Sequence, residues 1–434
     1  MTINRAFKFL AALFVVMIFS TVLNVASTKK SYSETYPAVV CPPTLAGLNS
    51  QISLYSTRTP FQRLQNRTTK TAQVKVLRLP VAKDSLLLNA ENSTPVVWQS
   101  RSGKWAGAAL CTSPASSQWF MGGTADITTS GRLIIINSGL SSAVVDLEVF
   151  TEKGKQPNRA VNISSKSYAV ISIDTLAPGD KTLGIHVTPR FGRINAYVID
   201  EQGKGLKSLG GDLINPTSSA SKTLIIPAIP NQNSKNSPPL AHLLRVLTPG
   251  DVDASITVEV ISSDGIFIPV GFNSREIFAG QVTEMSFAPK ISSSVLAIRI
   301  TSSEPIVASV KSRVKSGTGS DFVWSTPSKE LSPLRVAITG LTPLITFVGD
   351  DIDVSINVTL LNGKVVNQRV RGSDITSWRA PKSARSVEIV KVKAGSYAGA
   401  LASSINGYAY FPIESGSELT KIEIPDSNIR VLNP

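Results

Sequence analysis

Chemistry at neutral pH often starts from histidine, which titrates near that pH and ligates metals. This chain of 434 residues has only two, His186 and His242. His186 stands in the apolar run Gly184–Val187, and His242 follows a proline-rich stretch. No second His or Cys lies near either in sequence, so each reads as a satisfied strand residue. Neither a zinc site nor a Ser-His-Asp triad is expected. Carboxylates come next, because glycoside hydrolysis needs two facing one sugar. The tightest group is Asp350, Asp351 and Asp353 in GDDIDV, placed where a strand begins. A solvated turn is the expected reading, with weak calcium binding as its functional counterpart.

Ser27–Lys30 and Ser219–Lys222 match the Ser-x-x-Lys pattern of a serine nucleophile. Their usual companions are missing: Lys181-Thr182-Leu183 and Lys222-Thr223-Leu224 lack the glycine of Lys-Thr-Gly, and Ser-Asp-Asn does not occur. Gly317-Thr318-Gly319 lacks the Lys-Ser/Thr of a phosphate loop and reads as a hairpin turn. Asn66, Asn92, Asn162 and Asn357 stand in Asn-x-Ser/Thr sequons, which matter only if the host glycosylates its exports. The expectation is therefore no catalytic residue, no metal and no cofactor.

The two cysteines, Cys41 and Cys111, are expected to pair as one disulfide in an oxidising compartment. The bridge closes a loop of 111 − 41 = 70 residues, worth roughly 4 kcal/mol in the chain-entropy model. Two separate thiols are the alternative, but no histidine nearby in sequence supports a reactive thiolate.

The elements that must position these residues are strands. Past residue 36 the recurring pattern is apolar alternation over five to seven residues, ended by Gly, Asn, Asp or Pro. Leu133–Gly154, Leu243–Gly265 and Val336–Gly363 resemble one another, the last with an insertion. Two end in Asp264-Gly265 and Asn362-Gly363, strong hairpin signals. Their second halves recur from Leu183, Leu296 and Val387. The marker glycines are 265 − 154 = 111 and 363 − 265 = 98 residues apart, a period that suits a sandwich of seven or eight short strands. Gly103–Gly122 resembles Gly395–Pro412, which would align Trp105 with Tyr397 and Phe120 with Phe411. Linkers are expected at Asn231–Pro239 and around Ser325–Pro333.

Ahead of these units, Phe9 to Ala26 runs without a charge, after Arg5 and Lys8. The run is close to the length that spans a bilayer. A cleavable signal is the competing reading; Asn24-Val25-Ala26 is a poor small-x-small site, which favours an uncleaved anchor. Either reading puts the bulk of the chain outside the membrane. The expected fold is all-β: an N-terminal transmembrane helix, then tandem β-sandwich-like (Ig-like) domains, with a β-propeller as alternative. Expected boundaries are 1–30 for a cytoplasmic tip and anchor, 31–128 for a disulfide-bearing β domain, and 129–230, 240–332 and 333–434 for repeats.

Composition narrows function. Hydrophobic residues at 42% can fill cores and argue against disorder. The net charge of +14 would point to nucleic acid in a cytosolic protein. Outside a membrane the available polyanions are lipid head groups and acidic wall polymers, so no nucleic acid is expected. Arg58, Arg63, Arg67, Lys70, Lys75 and Arg78 form the densest basic stretch. Lys311, Arg313 and Lys315 alternate along a strand and so share one face; a solvated face is the expected reading, with weak attraction to an anionic envelope as the functional one.

AVVCPPTL at Ala38–Leu45, the CTSP…SQWFMGG block at Cys111–Gly123 and INSGLSSAVVDLEVFTEKG after the apolar segment are similar to an actinobacterial group of envelope proteins of unknown function. The resemblance covers essentially the whole exported part. Genes of that group often neighbour a large envelope glycosyltransferase, which is context and not mechanism. The resemblance carries over no catalytic residue. The leading expectation is a non-enzymatic, membrane-anchored envelope scaffold that binds a wall polymer or a partner protein. An accessory subunit of polysaccharide or glycolipid assembly and a glycan-active hydrolase are the alternatives. Secretion after signal cleavage is the alternative location.

Overall fold

Alternating apolar residues need two sheets to close on one another, and the repeated units do this. The computed structural model describes residues 39–66, 69–73, 78–88, 93–205, 207–232, 240–316 and 319–417, with Phe14, Val15 and Met17. Pro37–Glu418 forms one compact body, and it is all-β.

The second unit shows the principle most simply. Ser167–Ser172, Arg132–Asn137, Ile194–Lys204 and Lys207–Ile214 make one sheet in that order. The facing sheet runs Gly154–Lys155, Ala143–Thr151, Leu183–Phe191 and Gln118–Met121, with Arg159–Ile163 also on Ala143–Thr151. Leu133 and Ile135 of the first sheet meet Val145, Leu147, Ile185 and Val187 of the second in a fully buried core. These are the alternate residues that the sequence pattern marks.

In the third unit one strand serves both sheets. Val295–Ser316 pairs with Ser221–Pro230 and Ala254–Ser262 in its first half, and with His242–Leu247 and Gly319–Ser325 in its second. The switch falls near Pro305, whose missing N–H suits a break in the ladder. Leu344–Leu360 in the fourth unit does the same, passing from Tyr397–Ser403 to Ala384–Val392 across a register shift at Gly349/Ile352. The segment that reads as an insertion is the start of this strand. Both expected hairpins form, with Ser262 opposite Gly265 and Thr359 opposite Val365.

The first unit is not self-contained. Thr94–Arg101 pairs with Asn49–Ser53 and Trp105–Leu110, and also lies parallel to Leu334–Ala337 of the fourth unit, giving a ten-stranded sheet. Val96, Trp98, Ala106, Ala108 and Leu110 fill the fourth unit's core. Val97, Trp105 and Ala109 pack with Ile134, Ile136, Tyr197 and Leu213 of the second.

Each unit ends in a hairpin whose last strand points to the middle: Trp105–Leu110, Lys207–Ile214, Gly319–Ser325 and Tyr408–Pro412. Each touches the next, and the fourth returns to the first, so the units close into a ring. A Cβ on Gly211 would lie 2.8 Å from the Trp105 ring, and one on Gly407 would lie 2.2 Å from Asp321 Oδ2. Only glycine permits such approaches. The closure is circular, as in a propeller, but the repeated element is a pair of sheets and not a single blade.

Two expectations change. Trp105 opens an inner strand and so corresponds to the Tyr408–Pro412 strand, while Tyr397 opens the strand before it. The likeness of the two segments in sequence is one strand out of register. The stretch around Ser325–Pro333 is packed and not a free linker: Tyr410 donates its hydroxyl to Thr326 O at 2.7 Å, and Ser328 N donates to Ile225 O at 3.0 Å. Most of Phe9–Ala26 lies outside the described residues; Phe14, Val15 and Met17 within it are helical. No helix among the described residues is long and apolar enough to cross a membrane.

Candidate functional site

Two joints between units concentrate polar side chains. The first is the centre of the ring. Asp200 and Asp212 face each other across Ile194–Lys204 and Lys207–Ile214, and Asp321 comes from the third unit. All three are fully buried. Asp212 accepts from Leu213 N at 2.8 Å and from Trp324 N at 2.7 Å. Asp321 Oδ1 accepts from Gly211 N at 3.1 Å and Phe322 N at 2.9 Å. Asp200 Oδ2 accepts from the Trp324 indole and from Gln202, both at 2.9 Å.

Burial pushes Asp321 up to about 7, against the pull of backbone amides from Gly211, Phe322, Tyr408 and Ala106. Those amides belong to all four units. Burial raises Asp212 well above the carboxylate range, helped by the charges of Asp321 and Asp200. No three His, Cys, Asp or Glu among the described residues converge on a metal position. These carboxylates bind the protein's own amides, so the centre is a structural hub.

The second joint is an open groove of about 480 Å³ between the first and fourth units. Asn49, Gln51, Ser100 and the Ser404–Asn406 turn give it amides and hydroxyls, while Trp98 and Arg78 stand at its wall. The Arg78 guanidinium lies 5.7 Å from the Trp98 ring. Its Nη1 is buried without a hydrogen-bond partner, and burial lowers its pKa. A cation in that state is short of an acceptor. Asn406 is held in place by Gly103 N, which donates to its Oδ1 at 3.2 Å.

The other residues singled out by sequence fall as follows. Cys41 and Cys111 form the expected disulfide, fully buried in the first unit. His242 is buried, with Nδ1 2.8 Å from Ser312 Oγ, and burial lowers it to about 4; it stays neutral. Asp350, Asp351 and Asp353 sit at the strand irregularity, not in a turn at its entrance. They diverge, Asp350 to Arg299 at 3.1 Å, Asp351 to Lys393 and Asp353 to Arg369. Lys222 turns to Glu304 at 3.7 Å and Ser219 is exposed. Ser27–Lys30, Arg67, Lys75 and Asn92 lie outside the described residues. Arg313 and Lys315 are exposed as expected, but Lys311 is drawn into the hub.

His186 is not isolated. Its Nδ1 lies 2.8 Å from Glu148 Oε2 and its Nε2 2.9 Å from Ser117 Oγ, with the ring stacked on Trp119 at 3.9 Å. Thr188 Oγ1 shares Nε2 at 3.2 Å. Burial pushes Glu148 up, but the hydrogen bonds from Lys155 and His186 outweigh it and hold its carboxyl low. Glu148, His186 and Trp119 are register partners on three adjacent strands. Residues 117, 148 and 186 are too far apart in sequence for this grouping to be read there.

By fold and site this is an all-β protein of sandwich-like units closed in a ring, with a polar groove at one joint. It belongs to DUF5719, a family of unknown function whose model matches residues 68–370. No curated protein matches the chain. Among solved structures, one described as the crystal structure of Thermotoga maritima 1070 is similar at 16% identity, covering 23% of this chain and 93% of that one, with a TM-score of 0.21.

Proposed function

We propose that this protein is a non-enzymatic scaffold of the cell envelope that binds an acidic, hydroxyl-rich wall polymer in the groove between its first and fourth units. The observation that carries this reading is the buried, unpartnered Arg78 Nη1 beside Trp98, in a groove lined by amides and hydroxyls. Amides and hydroxyls match sugar hydroxyls, and arginine recognises carboxylate or phosphate. The Cys41–Cys111 bridge supports an extracytoplasmic setting, and the uncharged Phe9–Ala26 run supports attachment to the membrane there. Purified protein should cosediment with isolated wall material, less so as salt rises, and Arg78→Gln should lower this about tenfold. Equal sedimentation of wild type and variant would refute the groove as the binding site. No sedimentation at all would refute polymer binding.

The Ser117–His186–Glu148 chain favours a second reading, acyl transfer at Ser117, because it has the connectivity of a nucleophile, base and orienting acid. A fluorophosphonate probe should then label Ser117, with labelling lost in His186→Ala. An unlabelled wild type would rule this reading out.

A further inference from the structure

Lys311 and Gln202 meet across the hub from different units. Gln202 sits on the strand Ile194–Lys204, where the register shifts between Gln202 and Gly203. Such an irregularity re-aims a side chain. Its amide is held at both ends: Nε2 donates to Asp200 Oδ2 at 2.9 Å, and Oε1 accepts from Lys311 Nζ at 2.6 Å. A carbonyl bond adds only about 1.2 Å, so Nζ lies within about 3.8 Å of Gln202 Cδ, close to an attack distance.

The surroundings are those that make an amine nucleophilic. Nζ lies 4.1 Å from the centre of the Phe322 ring and 5.7 Å from that of Trp324. Desolvation lowers Lys311 to about 8, against the pull of Asp200, so a usable fraction is unprotonated near neutral pH. Asp200 is fully buried, and its Oδ1 has no hydrogen-bond partner. It therefore keeps a free oxygen to take a proton while its other oxygen touches the nitrogen that would depart.

We propose that Lys311 and Gln202 form an intramolecular isopeptide bond with Asp200 as the proton-transfer group. The Nζ lone pair attacks Cδ and a C–N bond forms. Asp200 accepts a proton from Nζ and delivers it to Nε2. The Cδ–Nε2 bond then breaks and ammonia leaves. An amine and a primary amide become a secondary amide and ammonia, with no change of oxidation state and no external reagent. The product ties the second unit to the third through the middle of the ring, whereas the Cys41–Cys111 bridge staples the first. It also replaces a buried amine by a neutral amide.

Peptide mass spectrometry on the full-length protein, after incubation near pH 8.5, tests this. Trypsin should give a branched peptide joining residues 194–204 to 300–313, uncut at Lys311 and lighter by one ammonia, about 17 Da, than its two parts. Asp200→Asn, if folded by circular dichroism, should give the two linear peptides, and so should Lys311→Arg. A wild-type digest with only linear peptides, including one that ends at Lys311, overturns the proposal. A branched peptide that persists in Asp200→Asn removes Asp200 from the reaction.

Discussion

The hub and the groove are both joints between units, yet they treat charge in opposite ways. At the hub, three buried carboxylates turn inward to N–H donors of the protein's own, and Asp321 alone receives favourable backbone amides from every unit. In the groove, Arg78 Nη1 is buried without any such partner, and the walls around it are open. The hub has the more strongly perturbed acids, which by that criterion alone would mark an active site. Its carboxylates each accept donors from within the fold, although Asp200 Oδ1 and Asp321 Oδ2 keep capacity to spare. A perturbed group signals a ligand only where spare hydrogen-bonding capacity meets open space, and here that is the groove.

The contrast can be broken most forcefully at the hub. Trp324→Ala removes a fully buried side chain that donates to Asp200 and should cost about 4 kcal/mol. Chemical denaturation would measure it; a loss below about 1 kcal/mol would deny the hub its structural role. Replacing both cysteines by serine should cost roughly 4 kcal/mol and loosen the first unit, which forms one wall of the groove. If polymer binding then survives unweakened, that wall does not depend on the bridge.

A third test uses pH. Asp321 sits at about 7 in the folded chain against an ordinary 3.8, so between those values the folded state holds more protons than the unfolded one. Its contribution to stability is full below about pH 4 and is lost progressively as pH rises towards 7. Asp321→Asn should remove that part of the pH dependence of Tm. His242 works in the opposite sense: lowered to about 4 by burial, it withdraws stability as pH falls from about 6.5 to 4. Wild type and Asp321→Asn with identical pH profiles would count against a protonated Asp321. The smallest stability effect belongs to the groove: Arg78→Gln should change stability by less than about 1 kcal/mol while weakening polymer binding about tenfold. A large loss of stability with intact binding would reverse the comparison.

The strands were legible because their burial is local. Val145, Leu147 and Val149, or Val354, Ile356 and Val358, alternate in sequence as they alternate between core and surface. The Asp264-Gly265 and Asn362-Gly363 hairpins follow from backbone preference over two residues. The inner strand of the first unit was misread because Trp105–Leu110, buried on both faces, carries no alternation to fix its place in the repeat.

By itself the sequence determined an all-β chain, its repeated strand–turn grammar and one disulfide between its only two cysteines. These depend on side-chain period, turn chemistry and cysteine count. Tertiary structure alone decided that the repeats close into a ring and that Asp321 meets amides from four units. It also set Lys311 against Gln202 and left Arg78 Nη1 without a hydrogen-bond partner beside an open joint. Such meetings join residues about a hundred or more positions apart, such as Gln202 and Lys311, and they depend on which sheet faces pack, which no local pattern records.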